Sequence, residues 1–230
     1  MPLHQFKHPL MPHWGYNLMN TGLPRFQTII KGQIMEQFRS EFIKAREIFY
    51  EIKHLKLTYE QLYSDAENRQ IILEASLEFF RLVHWSFRDS MILQLCKLTD
   101  PKEQGRGNNS HLNLTLEYLL KSDVVEKSGK YQEIRGLYEN RITHLRKPLK
   151  AFRHKLGAHA DYPTMMSSSI VDPVEGEIFA LFDAVEKFFI LMNSSVFGCS
   201  SLKSSSSSNR YRKGASDLLK ILKNNESKHI

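Results

Sequence analysis

From Met35 onward the apolar residues recur every three or four positions. Phe38, Phe42, Ala45, Phe49, Ile52 and Leu55 form the stripe of an amphipathic helix. Ser64-Asp65-Ala66-Glu67 is a capping-box sequence, which predicts a second helix with Ser64 as its cap. That helix runs to about Leu98, where Asp100-Pro101 stops it. Its apolar face is expected to hold Ile72, Ala75, Phe79, Leu82, Met91 and Leu95. Glu74, Glu78, Arg81 and Arg88 line another face, with His84 nearby.

Turn formers fill residues 101–111, and a short helix is expected over about 113–121. Ile134, Leu137, Tyr138, Ile142 and Leu145 predict a helix over about 130–146, which Pro148 interrupts or restarts before Leu149, Phe152 and Leu156. Asp172-Pro173 reads as an N-cap and first helical position, opening a helix through Ile178, Leu181, Phe182, Val185, Phe189 and Met192, with Gly198 just past its end. Ser204 to Ser208 read as a linker, and Ser216 caps a last amphipathic piece. No stretch alternates as a strand does between hairpin turns. The expected fold is all-α: a bundle of four or five core helices over residues 35–199. Residues 1–34 form a flexible arm, or an extension upstream of a true start at Met35. Residues 200–230 form a serine-rich linker and a basic tail. Both flanks are expected to be dispensable for folding.

Of the 230 residues, 41% are hydrophobic and 25% charged, a balance that excludes wholesale disorder. No run of about 18 apolar residues suggests a membrane span, and the N-terminal stretch lacks the apolar region of a secretory signal. Cys96 and Cys199 are too few for a disulfide framework, so a reducing cytoplasm is the expected location. The net charge of +7 is unevenly placed: residues 1–34 carry +3, residues 200–230 carry +5, and residues 35–199 carry −1. A basic flank offers sequence-independent attraction to phosphates.

The chain lacks a P-loop, a Gly-x-Gly-x-x-Gly turn, a His-Glu-x-x-His helix, a Cys-x-x-Cys pair and a Gly-x-Ser-x-Gly elbow. His4, His8 and His13 sit in the proline-rich arm and read as unliganded. Glu51 and His54 have the Glu-x-x-His spacing of a di-metal bundle, but no second such pair exists on another helix. Neither metal nor cofactor is expected.

What remains is Phe152-Arg153-His154-Lys155-Leu156-Gly157-Ala158-His159-Ala160-Asp161. The Arg-x(4–6)-His spacing alone is weak, since Arg106 to His111 matches it too. Taken with Lys97-Leu98-Thr99-Asp100-Pro101 and Asn113-Leu114-Thr115-Leu116, however, the segment resembles the HEPN superfamily of helical ribonuclease domains. The likeness is strongest to its abortive-phage-infection branch and covers about residues 36–195. It implies a four- or five-helix bundle, dimeric, with metal-independent RNA cleavage at a pocket shared by two subunits. It also implies roles: His159 transfers protons, Arg153 clamps phosphate, and His154 is the polar neighbour of that arginine. The implied partners are a second copy, RNA, and an antitoxin or other protein. The rival reading is a non-catalytic helical dimer that binds a nucleotide or a protein.

Such a pair can cut RNA because the ribose 2′-hydroxyl already lies beside the phosphate and is its own nucleophile. Histidine moves protons near neutrality, and arginine offers a charged planar fork to phosphate oxygens. Six residues along a helix turn through about 600°, so Arg153 and His159 lie about 120° apart unless Gly157 ends the helix or two subunits share the site. Arg153 could instead pair with an acid such as Glu78 or Asp161, and His159 could cap the helix. Arg81, His84 and Arg88 are weaker candidates, either facing RNA or forming a solvated helix face.

Overall fold

The computed structural model describes residues 24–104, 110–157, 173–199 and 213–226. The fold is all-α. Helix α1 spans Pro24–Tyr63 and α2 spans Ala66–Thr99, and the two pack as a long antiparallel hairpin. Two-residue strands β1 (Glu103–Gln104) and β2 (His111–Leu112) pair antiparallel beyond α2, a small ribbon within the turn-rich loop. Then come α3 (Leu116–Leu120), α4 (Asp123–Glu126), α5 (Tyr131–Gly136), a π-helical turn (Leu137–Ile142) and α6 (Thr143–Gly157). Helices α7 (Glu175–Phe197) and α8 (Gly214–Glu226) complete the bundle.

The α1 stripe is the core's spine. Phe38, Phe42, Ala45, Phe49 and Ile52 are all buried, and Phe49 stacks on Phe182 and packs against Phe189 of α7, with ring centroids 5.0 and 5.2 Å apart. Gly198 ends α7 with φ at +69°, the left-handed turn that glycine takes at least cost. The cap of α2 is Asp65 rather than Ser64: its carboxylate accepts from the Asn68 amide at 3.0 Å. Helix α7 begins at Glu175, two residues after Pro173, where the Val174 amide donates to Glu177 Oε2 at 3.0 Å.

Two expected element boundaries change for backbone reasons. Ser76 takes extended backbone inside α2 (φ −172°, ψ 94°). This kinks α2, so the residues on its two sides do not form one continuous stripe. Ile72, Met91 and Leu95 are buried as expected, but Ala75, Phe79 and Leu82 of the same expected face are exposed. Pro148, in contrast, sits inside α6 without stopping it. Leu149 and Phe152, just beyond it, are buried and hold the last turns onto the core.

The packed unit is longer than residues 35–199. Helix α1 starts at Pro24, ahead of Met35, and α8 lies against α1 and α2 with Ala215 and Leu219 in the core. Lys223 Nζ meets Glu67 Oε1 at 2.7 Å. Residues 214–226 of the tail are thus packed against the bundle. Truncation after residue 212 removes a buried leucine and exposes its seat, so the thermal midpoint should fall, by about 2–4 °C per kcal/mol lost in a domain of this size. A melting curve that stays unchanged would show that α8 contributes nothing to the fold.

Candidate functional site

The end of α2 gathers the three sequence segments that carried the resemblance. Arg146 and Arg153 are seven residues apart on α6, nearly two full turns, so both reach the same neighbour. Arg153 Nη1 donates to Asp100 Oδ2 at 2.5 Å, and Arg146 Nη1 donates to the Thr99 carbonyl oxygen. Gln104 Nε2 also donates to Asp100 Oδ2, at 3.3 Å. Asn113 closes the third side: its amide donates to the Lys102 carbonyl at 2.7 Å and its side chain to the Pro101 carbonyl at 3.3 Å. Pro101 follows a residue in extended backbone, so α2 ends at Thr99; the Thr99 and Pro101 carbonyls take side-chain donors and that of Lys102 takes the Asn113 backbone amide.

Asp100 is buried, and its side chain and that of Arg153 keep only 12% and 20% of their exposure. Burial of this order makes the pair tight and its members dependent on each other. Arg153 thus pairs with Asp100 and not with Glu78, while Asp161 lies outside the described residues. Nothing in the linear pattern marks a partner 53 residues away. Cys96, one turn earlier, is buried and its thiol is pushed up to about 11 by that burial, against the opposing pull of the Arg153 charge. Its burial thus favours the protonated thiol.

His154 is exposed beside this pair. His159 lies outside the described residues, as do His4, His8, His13 and Arg106. Helix α6 runs as helix to Gly157. It contains Arg146, Lys147, Lys150, Arg153 and Lys155 and no acid, so the near-neutral core holds a concentrated basic rod that overall charge counting hides. Among the described residues, no three of the His, Cys, Asp and Glu side chains converge closely enough to hold a metal ion.

The weaker candidates separate. Arg88 is buried rather than on a solvated face: Nη2 donates to the Pro173 carbonyl at 2.8 Å, and its guanidinium lies 4.9 Å from the ring centres of both Trp85 and Phe152. It is a cationic rivet between α2, α6 and the start of α7. Arg81 is exposed and pairs with Glu78 at 3.2 Å. His84 is half-buried, with Nε2 2.8 Å from the Tyr59 hydroxyl. Burial, with the Glu175 carboxylate near the same hydroxyl, disfavours ionisation of Tyr59.

Burial lowers the His84 imidazole below its usual value, Glu175 opposes that shift, and the Arg88 charge adds to it. The folded state therefore prefers His84 neutral, while the unfolded chain takes up its proton near pH 6.5. Stability from this site is fully present above that pH and declines as pH falls below it. Melting midpoints at pH 7.5 and pH 5.5 should differ more for the native protein than for His84→Gln. Equal differences would remove His84 as a cause.

A family model, HEPN_AbiU2 (AbiU2), matches residues 32–218, most of the chain, including the first turn of α8. The chain belongs to the HEPN_AbiU2 family. It is a HEPN domain of the abortive-infection branch, and the junction of Asp100 with Arg153 lies inside the matched region. No curated protein and no solved structure matches it. No helix among the described residues of this HEPN domain is long and apolar enough to cross a membrane.

Proposed function

We propose that this HEPN domain is a metal-independent endoribonuclease, active as a homodimer and serving in phage defence or as a toxin. His159 accepts the proton of the ribose 2′-hydroxyl or returns one to the leaving 5′-oxygen. Arg153 holds the phosphate and the charge that develops on it. His154 is the polar neighbour of that arginine and is exposed. The observation that supports this reading most is the Asp100–Arg153 contact, which fixes the arginine at the end of a helix that carries five bases and no acid. Arginine has five donor hydrogens, so the contact through Nη1 leaves others for a phosphate oxygen.

The same contact also favours a second reading, in which Arg153 is purely a structural cation and the domain is a non-catalytic dimer that binds a nucleotide or a protein. Incubating the purified chain with RNA in EDTA separates the two. Cleavage that survives chelation and leaves 2′,3′-cyclic phosphate and 5′-hydroxyl ends is expected, because the nucleophile belongs to the substrate. Intact RNA, or fragments with 5′-phosphates, would overturn the nuclease reading.

A further inference from the structure

Ile34, Phe38 and Glu41 are four and three residues apart on α1 and so share one face of it. Across a cleft of about 350 Å³ they meet Lys102, Leu112 and Tyr118, from the loop after α2, from β2 and from α3. That volume lies within the range of small-ligand sites, about 300–1,000 Å³. Two of its walls are apolar and open to water, with Ile34 48% and Leu112 65% exposed. Glu41 supplies the polar side. Its Oε1 accepts from the Tyr118 hydroxyl and from Gln37 Nε2, both at 3.0 Å. Burial, with the Glu41 carboxylate nearby, raises the Tyr118 phenol, which favours its role as donor. Both contacts use one oxygen, and a carboxylate offers about four acceptor sites, so Oε2 keeps its own two. Lys102 and Lys121 also line the cleft, beside Glu103 and Glu117 respectively. An ammonium has three donor hydrogens, so each lysine has others to give.

We propose that this cleft takes a guanine base of the RNA substrate and that Glu41 reads it. Of the four bases, guanine sets two N–H donors side by side on its Watson–Crick edge, N1–H and the N2 amine. Those are what a carboxylate oxygen with two open acceptor sites can take. Adenine and cytosine put an acceptor beside their amine, and uracil flanks its N–H with two carbonyls, so a carboxylate repels part of each edge. Ile34 and Leu112 offer apolar surface to the faces of the ring, and the two lysines offer charge to its phosphate. The chain itself joins the cleft to the proposed cutting site. Lys102 is two residues beyond Asp100, and Asn113, next to Leu112, donates to the Pro101 carbonyl at 3.3 Å. A strand with one phosphate at Arg153 can thus lay a neighbouring base in the cleft. The inference rests on the nuclease reading above and adds a base preference to it.

Calorimetric titration of the full-length protein measures the base preference without any cleavage. Guanosine 5′-monophosphate should bind at least about tenfold tighter than the adenosine, cytidine and uridine monophosphates. Inosine 5′-monophosphate, which lacks only the N2 amine, should bind weaker by a similar factor. Glu41→Gln keeps an acceptor for Tyr118 but turns an amide N–H towards the base, so it should lose about tenfold or more of guanosine binding. Leu112→Ser changes a side chain that is 65% exposed and should weaken binding without lowering the melting midpoint. On RNA, cuts should fall beside guanosines, and Glu41→Gln should spread them over other bases while cleavage continues. A Glu41→Gln protein that keeps native guanosine binding would overturn the assignment, as would equal binding of the guanosine and inosine nucleotides. Selective binding by a protein that leaves RNA intact would make the ligand a free nucleotide and overturn the nuclease reading. RNA cut without regard to guanosine, by a protein with no selective binding, would overturn the cleft and leave the nuclease reading standing.

Discussion

His159→Ala should lower RNA cleavage by about 10²–10⁴-fold, the usual consequence of losing a general acid or base. Arg153→Ala should cost a comparable factor through lost charge stabilisation, and Arg153→Lys should recover little because an ammonium cannot reproduce the fork. Removing both should cost far less than the product of the two effects, since they act on one transition state. The two single variants nevertheless differ in the fold. Arg153→Ala leaves Asp100 buried without its cation, so it should also lower the melting midpoint. Activity is therefore to be measured well below the variant's midpoint, with circular dichroism alongside. A His159→Ala protein of native activity would end the proton-transfer role, and the scaffold reading would take its place.

The second large effect is on stability. Asp100→Ala leaves Arg153 facing the helix end with its charge uncompensated and largely out of water, a change that costs about 3–5 kcal/mol when a buried pair loses one member. In a domain of this size the midpoint should fall by about 6–20 °C. Asp100→Asn keeps the shape and one acceptor, so it should cost less. The Asp100→Ala/Arg153→Ala protein should be more stable than the two single losses added together, because neither charge is then left unmatched. Additive losses would show that the contact contributes little, and that Arg153 is held by something other than Asp100.

Periodicity carried α1 because its stripe is unbroken and meets one continuous partner, so Phe38 to Ile52 are buried as their spacing demands. The same rule mistook part of α2. A single extended residue at Ser76 is invisible in composition, yet it kinks α2 within the stretch where Ala75, Phe79 and Leu82 are exposed. Arg88 looked solvated because arginine usually is, whereas two aromatic rings and a carbonyl take its charge inside. Pro148 looked like a break, but buried Leu149 and Phe152 outweigh one missing hydrogen bond. At the candidate site, the strings around Asp100, Asn113 and Arg153 were visible one by one. Their meeting depends on contacts 12 to 53 residues apart, which no local spacing encodes.

Arg88 also sets an order of assembly during synthesis. Its acceptor, the Pro173 carbonyl, is 85 residues further along the chain, and the Phe152 ring beneath it is 64 residues further. At about 5–20 residues per second a ribosome needs roughly 4–17 s to supply that carbonyl. Until then the α1–α2 hairpin holds an arginine with nowhere to bury its charge, and α6 has no fixed roof. A nascent chain shorter than residue 173 therefore exposes its basic helix without the rivet that positions it. The contacts that rivet α6 and the start of α7 to α2 become complete only once residue 173 has been added.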